Sequence, residues 1–155
     1  MNSFEANISR LAQSDPALAS ALCQSRGGTL EIIPARTGMP SARANGRWIH
    51  SASDPIKEAQ VWAESQCHQD GETIVVLGVG LLYHVEALCA RLPRTAPVIL
   101  VVSDLSVLAD AAAARTWGDW MDRVSWAWGT TEAISQQIAD GGQPLRLVTY
   151  APAAA

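Results

Sequence analysis

One short segment has the residue types and spacing for nucleotide chemistry. After an apolar run at residues 73–77 come Gly78, Gly80, Tyr83 and His84. Glycines here let backbone N–H groups approach a ligand, and the following helix presents its positive N-terminal end. His84 is a candidate catalytic acid/base or phosphate donor near neutral pH. The alternative is a histidine that bonds a loop carbonyl and fixes the turn.

Three further polar residues are candidates for the same pocket. Asp104 comes directly after the next apolar run, 97–103, and one or two residues later than the strand-end position at which a carboxylate holds ribose hydroxyls. Ser51, with His50 before it, ends a strand. For this pair a structural role and a contact with the ligand are equally favoured alternatives. Glu58 lies in the first turns of the next helix, and we favour a structural role for it at the cap or the glycine loop.

The loop departs from each of the common nucleotide patterns. A Walker loop needs a Lys-Ser/Thr pair after its last glycine, and none is present. The dinucleotide pattern GxGxxG puts its third glycine at Tyr83. A methyltransferase-type loop has a glycine where Leu82 stands and an acid where Val76 stands. The loop therefore has the shape of a nucleotide site without its side-chain requirements, so the candidate ligands are a nucleotide, S-adenosylmethionine or a nucleotide-sugar in a degenerate pocket.

The elements that must position these residues alternate regularly after residue 50. Buried-type strands at 73–79, 97–103, 123–129 and 145–151 are separated by helices at 82–92, 105–117 and 131–140, the last closed by Gly141-Gly142. This predicts an α/β, Rossmann-like three-layer sandwich with a mostly parallel sheet of order about 3-2-1-4. Asp54 and Pro55 predict the start of the helix before it.

The first fifty residues predict a smaller unit packed on the main one. A short helix is followed by a second helix that begins at Pro16 and ends at Gly27-Gly28. Two strands, TLEIIPAR and GRWIHS, come next. A stretch rich in Pro, Gly, Ala and Ser, with Asn45-Gly46 as its turn signal, joins them into a hairpin. We expect residues 1–50 to pack on a Rossmann-like domain at 51–150.

Composition excludes several classes of function. The chain has 155 residues, a net charge of −4 and a pI near 5.2, which argue against nucleic-acid binding. Its three cysteines and three histidines have no metal-ligand spacing, so no metal is expected. The amino terminus lacks a signal-peptide core, and apolar runs are too short to span a membrane. A cytoplasmic location is the expectation.

Tryptophan is concentrated in one part of the chain. Four of the six tryptophans lie between residues 117 and 128. Trp117 and Trp120 are predicted on one helical face, and Trp126 and Trp128 on one face of a strand. Core packing is the favoured interpretation. The alternative is an apolar face at Trp117 and Trp120 for a homo-oligomer or a protein partner.

Two blocks of the sequence together resemble a known family. WIHSASDPIKEAQVWAES followed by IVVLGVGLLYHVEAL resembles the amino-terminal Rossmann-like domain of the motility accessory factor (DUF115) family, which is associated with flagellin glycosylation. The positions that match the family pattern are His50, Ser51, Asp54, Pro55, Glu58, Ala59, Gly78, Gly80, Tyr83 and His84. The resemblance covers about residues 48–129. It departs where the family's third glycine is Leu82 and its strand-end acid is Val102.

These observations lead to two hypotheses of function. The first is a Rossmann-like accessory or interaction domain with a degenerate nucleotide or sugar-nucleotide pocket, because no nucleophile–base pair stands at a catalytic spacing. The alternative is a small-molecule transferase, either S-adenosylmethionine-dependent or related to glycosyltransferases, in which Asp104 holds a ribose and His84 moves a proton.

Overall fold

The computed structural model describes residues 1–141 and 144–154 of the chain. In chain order its helices are α1 (Ser3–Ser14), α2 (Pro16–Gln24), α3 (Pro55–Glu64), α4 (Tyr83–Arg91), α5 (Leu105–Ala114), a 3₁₀ helix (Asp119–Arg123), α6 (Thr131–Ala139) and α7 (Ala151–Ala154). Its strands are β1 (Glu31–Pro34), β2 (Pro40–Ala44), β3 (Arg47–Trp48), β4 (Thr73–Leu77), β5 (Val98–Val102), β6 (Val124–Trp128) and β7 (Leu145–Thr149). Gly142, the second glycine predicted to close α6, lies outside the described residues.

Four strands form a parallel sheet in the order β6-β5-β4-β7. Counting along the chain from β4, this is the predicted order 3-2-1-4, and the predicted α/β three-layer fold is confirmed. The two central strands, TIVVL and VILVV, are almost wholly buried. Continuous β-branched and apolar runs suit strands that are covered on both faces, which is why their type could be predicted.

The amino-terminal strands differ in number from the prediction. They form an antiparallel three-stranded sheet in the order β1-β2-β3. The middle strand β2 occupies the stretch that was expected to be a connection. Pro40 stands at its first position, where a missing N–H is tolerated, and Ser41 and Ala42 are buried. The turn at Asn45-Gly46, with φ of 50° and 76°, joins β2 to β3.

Helix α5 ends at Ala114, three residues before the predicted end at Trp117. The buried side chain of Asn7 on α1 explains the earlier end. Its amide nitrogen donates to the carbonyls of Ala112 and Arg115 at 2.9 Å, and its oxygen accepts from the Trp117 N–H at 2.8 Å. The chain therefore leaves the helix to satisfy a polar group supplied by another element.

Trp117 and Trp120 consequently do not share a helical face. Trp117 lies in a loop and Trp120 in the 3₁₀ helix, and they are only 4% and 8% exposed. The Trp117 ring stacks on Trp126 with centroids 5.8 Å apart. Core packing, the favoured interpretation of these residues, matches this burial.

The amino-terminal helices and the small sheet share one hydrophobic core with the parallel sheet. Leu11, Leu18, Leu22 and Ala42 belong to the same buried cluster as Val76. On the opposite face of the sheet, helix α6 covers a smaller cluster centred on β4, β5 and β6. The division into segments 1–50 and 51–150 stays a prediction.

Candidate functional site

The glycine loop follows β4 at the carboxyl end of the parallel sheet, where ligands bind in folds of this type. Gly78 and Gly80 have φ of 102° and 50°, a backbone region that favours glycine. At Gly80 a Cβ atom would lie 2.5 Å from Nε2 of His50. Glycine is therefore required at this position by the close approach of a histidine from the amino-terminal segment.

His50 binds the glycine loop directly. Its Nε2 accepts a hydrogen bond from the Leu81 N–H at 2.8 Å, so this nitrogen carries no proton. The ring is 1% exposed, and burial, followed by the nearby charges of His84 and Arg115, lowers the pKa of His50 to about 3. A neutral imidazole thus takes a backbone donor that a phosphate oxygen would use in a nucleotide-binding loop.

The other ring nitrogen of His50 connects to a polar chain. Nδ1 lies 3.3 Å from the hydroxyl of Tyr150, which donates to Glu58 Oε1 at 2.8 Å or to the Ile49 carbonyl at 2.9 Å. Burial, together with the Glu58 carboxylate, raises the pKa of Tyr150 well above its usual range. Tyr150 follows β7 and sequence reasoning missed it. Only its place at the carboxyl end of the last predicted strand could have indicated it.

His84 fixes the other side of the loop. Nε2 donates to the Gly78 carbonyl at 2.6 Å, and the ring stacks on Tyr150 with centroids 4.3 Å apart. The side chain has no exposed surface, and burial lowers its pKa to about 4 against the opposing effect of the Gly78 bond. This is the geometry of the structural alternative, a neutral histidine that holds a turn, rather than of a solvent-facing acid/base.

Tyr83 also makes contacts within the protein. Its hydroxyl donates to the Pro40 carbonyl at 2.7 Å, and the Arg115 guanidinium lies 4.2 Å from the ring centroid. Arg115 itself donates to the Leu81 carbonyl and pairs with Glu86. Tyr83 and Arg115 line a groove of about 570 Å³ on the side of α3 and α4. The tyrosine therefore ties the small sheet to α4.

Ser51 and Glu58 support the start of α3. The Ser51 N–H donates to Glu58 Oε1 at 2.8 Å, while the Ser51 hydroxyl oxygen accepts from the N–H groups of Ser53 and Asp54 at 3.0 Å. Asp54 caps the helix by accepting from the Lys57 N–H. The structural role favoured for Glu58 agrees with these bonds.

A cavity of about 320 Å³ lies between the small sheet and the ends of β4 and β5. It brings together two of the predicted residues, Gly80 and Asp104. Asp104 is exposed and caps α5, with Oδ1 accepting from the Ser106 N–H at 2.9 Å. The residues around the cavity are Thr29, Leu30, Ala44, Asn45, Ile49, Val79, Gly80, Ser103, Asp104, Val107 and Ala153.

The chemistry of this cavity favours hydroxyl groups over phosphate. Its polar side chains are Thr29, Asn45, Ser103 and Asp104, and the residues around it include no lysine or arginine in the part of the chain that the structure describes. A carboxylate with amide and hydroxyl neighbours accepts hydrogen bonds from sugar hydroxyls but repels an anion. The cavity volume lies near the lower limit for small-molecule sites.

The fold resembles that of a glycosyltransferase. The structure of the Maf glycosyltransferase from Magnetospirillum magneticum AMB-1 superimposes with a TM-score of 0.69 and 13% sequence identity. The match covers 96% of this chain and 32% of the other. No protein-family model and no curated protein matches the sequence.

The similarity to the Maf glycosyltransferase concerns the fold. Because 96% of this chain is covered, the shared architecture includes the amino-terminal helices and small sheet as well as the parallel sheet. The chain spans about a third of the Maf glycosyltransferase chain. Among residues 1–141 and 144–154, no cluster of His, Cys, Asp and Glu suited to a metal ion is found, and no helix is long and apolar enough to cross a membrane.

Proposed function

We propose that this chain is a Rossmann-like accessory domain of the motility accessory factor type, which acts by binding rather than by catalysis. The fold of the Maf glycosyltransferase supports the relation. The resemblance of two sequence blocks to the amino-terminal domain of that family supports it independently. In this proposal the domain serves a glycosylation machinery whose transferase centre lies elsewhere.

One observation carries the non-catalytic part of the proposal. His50 Nε2 accepts the Leu81 N–H, and both His50 and His84 are buried and neutral behind the loop. A general acid/base must reach the proton that it moves, and a phosphate needs free backbone donors. The loop donor at Leu81 and both imidazoles are engaged within the protein instead.

The cavity beside Asp104 is the proposed ligand pocket, with a sugar or ribose as the part that is recognised. The carboxylate of Asp104 and the hydroxyl groups near it can accept hydrogen bonds from the hydroxyls of a sugar. Because no lysine or arginine of the described residues lies around the cavity to neutralise phosphates, we expect a nucleotide-sugar to bind weakly. Weak binding is consistent with the departures of the loop at Leu82 and Val102 from the family pattern.

A thermal-shift screen of nucleotide-sugars, S-adenosylmethionine and NAD tests the pocket. A ligand at about 100 times its dissociation constant stabilises the folded protein by about 2.7 kcal/mol, or on the order of 5–10 °C for a domain of this size. We expect a smaller shift, confined to nucleotide-sugars at millimolar concentration. Asp104→Asn keeps a capping oxygen while removing the charge, and Asp54→Asn makes the same change at a cap outside the cavity.

The outcomes separate binding at Asp104 from other effects. A shift that is lost in Asp104→Asn and kept in Asp54→Asn supports the pocket. No shift at millimolar concentration with any member of the panel contradicts it. A shift that survives in both variants places the ligand elsewhere and also contradicts the pocket.

A second candidate function, a small-molecule transferase, is favoured by the meeting of Gly80 and Asp104 at one cavity. In that case Asp104 orients a ribose of the donor. Turnover of S-adenosylmethionine or a nucleotide-sugar by the purified chain, abolished in Asp104→Asn but not in Asp54→Asn, would establish it over the accessory role.

A further inference from the structure

The two glycines that the sequence predicts at the end of the second helix lie beyond that end. Helix α2 stops at Gln24 with Ser25 as its cap, so Gly27 and Gly28 belong to the irregular segment that leads to β1. We call residues 27–30 the strap. Because the strap has no regular secondary structure, its position depends on contacts with side chains from other elements.

Asp110 on α5 binds the backbone of the strap. Its Oδ1 accepts a hydrogen bond from the Gly28 N–H at 2.6 Å, and its Oδ2 accepts from the N–H groups of Thr29 and Leu30 at 2.9 and 2.8 Å. One turn earlier on α5, the Ser106 hydroxyl lies 2.6 Å from the Thr29 hydroxyl. Successive N–H groups that converge in this way form an anion-binding nest, and here the protein supplies the anion itself.

Gly27 is required by the same contact. A Cβ atom at Gly27 would overlap Oδ1 of Asp110, and the φ of Gly27 is not in the left-handed region. The carboxylate cannot move aside without giving up the three N–H groups that it binds. The close approach of Asp110, rather than the end of a helix or a special backbone conformation, therefore explains this glycine.

The strap forms one wall of the cavity beside Asp104. Thr29 and Leu30 line the cavity from the strap. Asp104 and Val107 line it from the first turns of α5. Asp110 is not among the residues around the cavity, but it lies on the same helix and holds the opposite wall in place. The width of the cavity between these two walls therefore depends on the bonds that Asp110 makes.

We propose that Asp110 is the positioning residue of this pocket. It sets the strap against α5 so that Thr29 and Asp104 reach the hydroxyl groups of one bound sugar. This inference rests on the proposed function of the cavity. Groups that contact a ligand must be held within about 0.5 Å of the productive geometry by the residues behind them. Loss of Asp110 then weakens sugar binding although Asp110 does not touch the sugar.

Gly27 and Asp110 together allow a test that a general loss of stability cannot imitate. Asp110→Ala removes the carboxylate, whereas Gly27→Ala pushes the strap away from it. Each variant should raise the dissociation constant of a nucleotide-sugar on the order of tenfold, the equivalent of one hydrogen bond to a charged group. In the double variant the new methyl group at position 27 meets no carboxylate. Gly27→Ala should therefore add almost nothing to the effect of Asp110→Ala.

Asp15→Ala is the matched control. Asp15 is also a carboxylate that accepts from two N–H groups, those of Leu18 at 2.9 Å and Trp128 Nε1 at 3.1 Å, and it lies outside the cavity. Its loss should lower the free energy of unfolding and leave the dissociation constant unchanged.

NMR titration with UDP-glucose, UDP-N-acetylglucosamine and GDP-mannose measures the dissociation constants, and hydrogen exchange in the same samples reports on the strap amides. Weaker binding in each single variant, no further loss in the double variant and faster exchange at Thr29 and Leu30 in Asp110→Ala support the proposal. Unchanged binding in Asp110→Ala overturns it while the pocket stands. Losses that add in the double variant also overturn it, because Gly27→Ala would then act independently of Asp110. If the unmodified chain binds none of the three probes, the pocket and this role of Asp110 are both overturned.

Discussion

Lowering the pH from 7 to 5 is expected to destabilise the protein through the two buried histidines. In the unfolded chain both imidazoles have the ordinary pKa of 6.5, whereas in the folded protein the pKa values of His50 and His84 are about 3 and about 4. At pH 5 the unfolded state therefore binds nearly two protons that the folded state does not. The stability that the two neutral histidines contribute is fully present above their unfolded pKa of about 6.5. It falls as the pH drops from about 6.5 toward 4.

The loss can be worked out by linkage. Each histidine changes the free energy of unfolding by about 1.4 kcal/mol per pH unit once the pH is well below 6.5 and above its folded pKa. For the two residues together the loss between pH 7 and pH 5 amounts to about 3–4 kcal/mol. That is a large part of the 5–15 kcal/mol typical of a domain.

Carboxylates do not obscure this range of pH. The Glu72 carboxylate beside Arg146 and the Asp122 carboxylate beside Arg10 have pKa values lowered by those partners, from ordinary values of 4.5 and 3.8. The stabilisation by these two ion pairs is present above the unfolded pKa of each carboxyl group. It is lost only as the pH falls below that value. The change between pH 7 and pH 5 therefore belongs to the histidines.

Urea unfolding at half-unit steps of pH measures the effect, with imidazole resonances followed by NMR in the folded protein. His84→Gln keeps an N–H donor for the Gly78 carbonyl and should reduce the pH dependence by about half. His68→Gln, outside the cluster, is the control substitution. The reasoning is refuted if stability at pH 5 is within about 1 kcal/mol of that at pH 7, or if both buried rings titrate near pH 6.5 in the folded state.

Two further substitutions test the glycine loop by urea unfolding. Gly80→Ala should destabilise the protein by about 2–4 kcal/mol, because the new methyl group would contact His50 and φ is positive. Gly46 also has a positive φ but lies in open space, so Gly46→Ala should destabilise the protein by only about 1 kcal/mol. Equal losses at the two glycines would disprove the contact with His50. Leu82 is fully buried and has a φ of 66°, whereas Leu81 is buried to the same extent and has an ordinary φ. Leu82→Gly should therefore lower the free energy of unfolding by about 1–2 kcal/mol less than Leu81→Gly does. A larger loss at Leu82 would show that the left-handed backbone is not strained.

The positions of the strands and most helices could be predicted because local patterns specify them. The apolar runs at β4 and β5, and Asp54-Pro55 at the start of α3, need no knowledge of distant residues. The strand order followed from the usual handedness and arrangement of βαβ units. Strand β2 was missed because its Pro- and Ala-containing sequence has little β propensity and becomes a strand only by pairing with β1.

The structure brings together two of the predicted site residues, but most contacts of these residues could not be predicted. Sequence reasoning located the glycine loop and Asp104 at one edge of the sheet, and Gly80 and Asp104 do share a cavity. It could not predict that His50 would fill the space above Gly80 or that Tyr150 would lie between two imidazoles. Those contacts join residues up to a hundred positions apart and have no local signal.

By itself the sequence determined the class of fold, the order of the strands and the location of a glycine loop, because hydrophobic period, caps and glycines act over a few neighbouring residues. Only the tertiary structure decided the state of that loop. Whether His50 and His84 are protonated depends on burial and on partners that other elements supply. Those partners also decide which N–H groups of the loop stay free to bind a ligand. Long-range packing therefore turned a loop with the glycines of a nucleotide site into one held by the protein's own histidines.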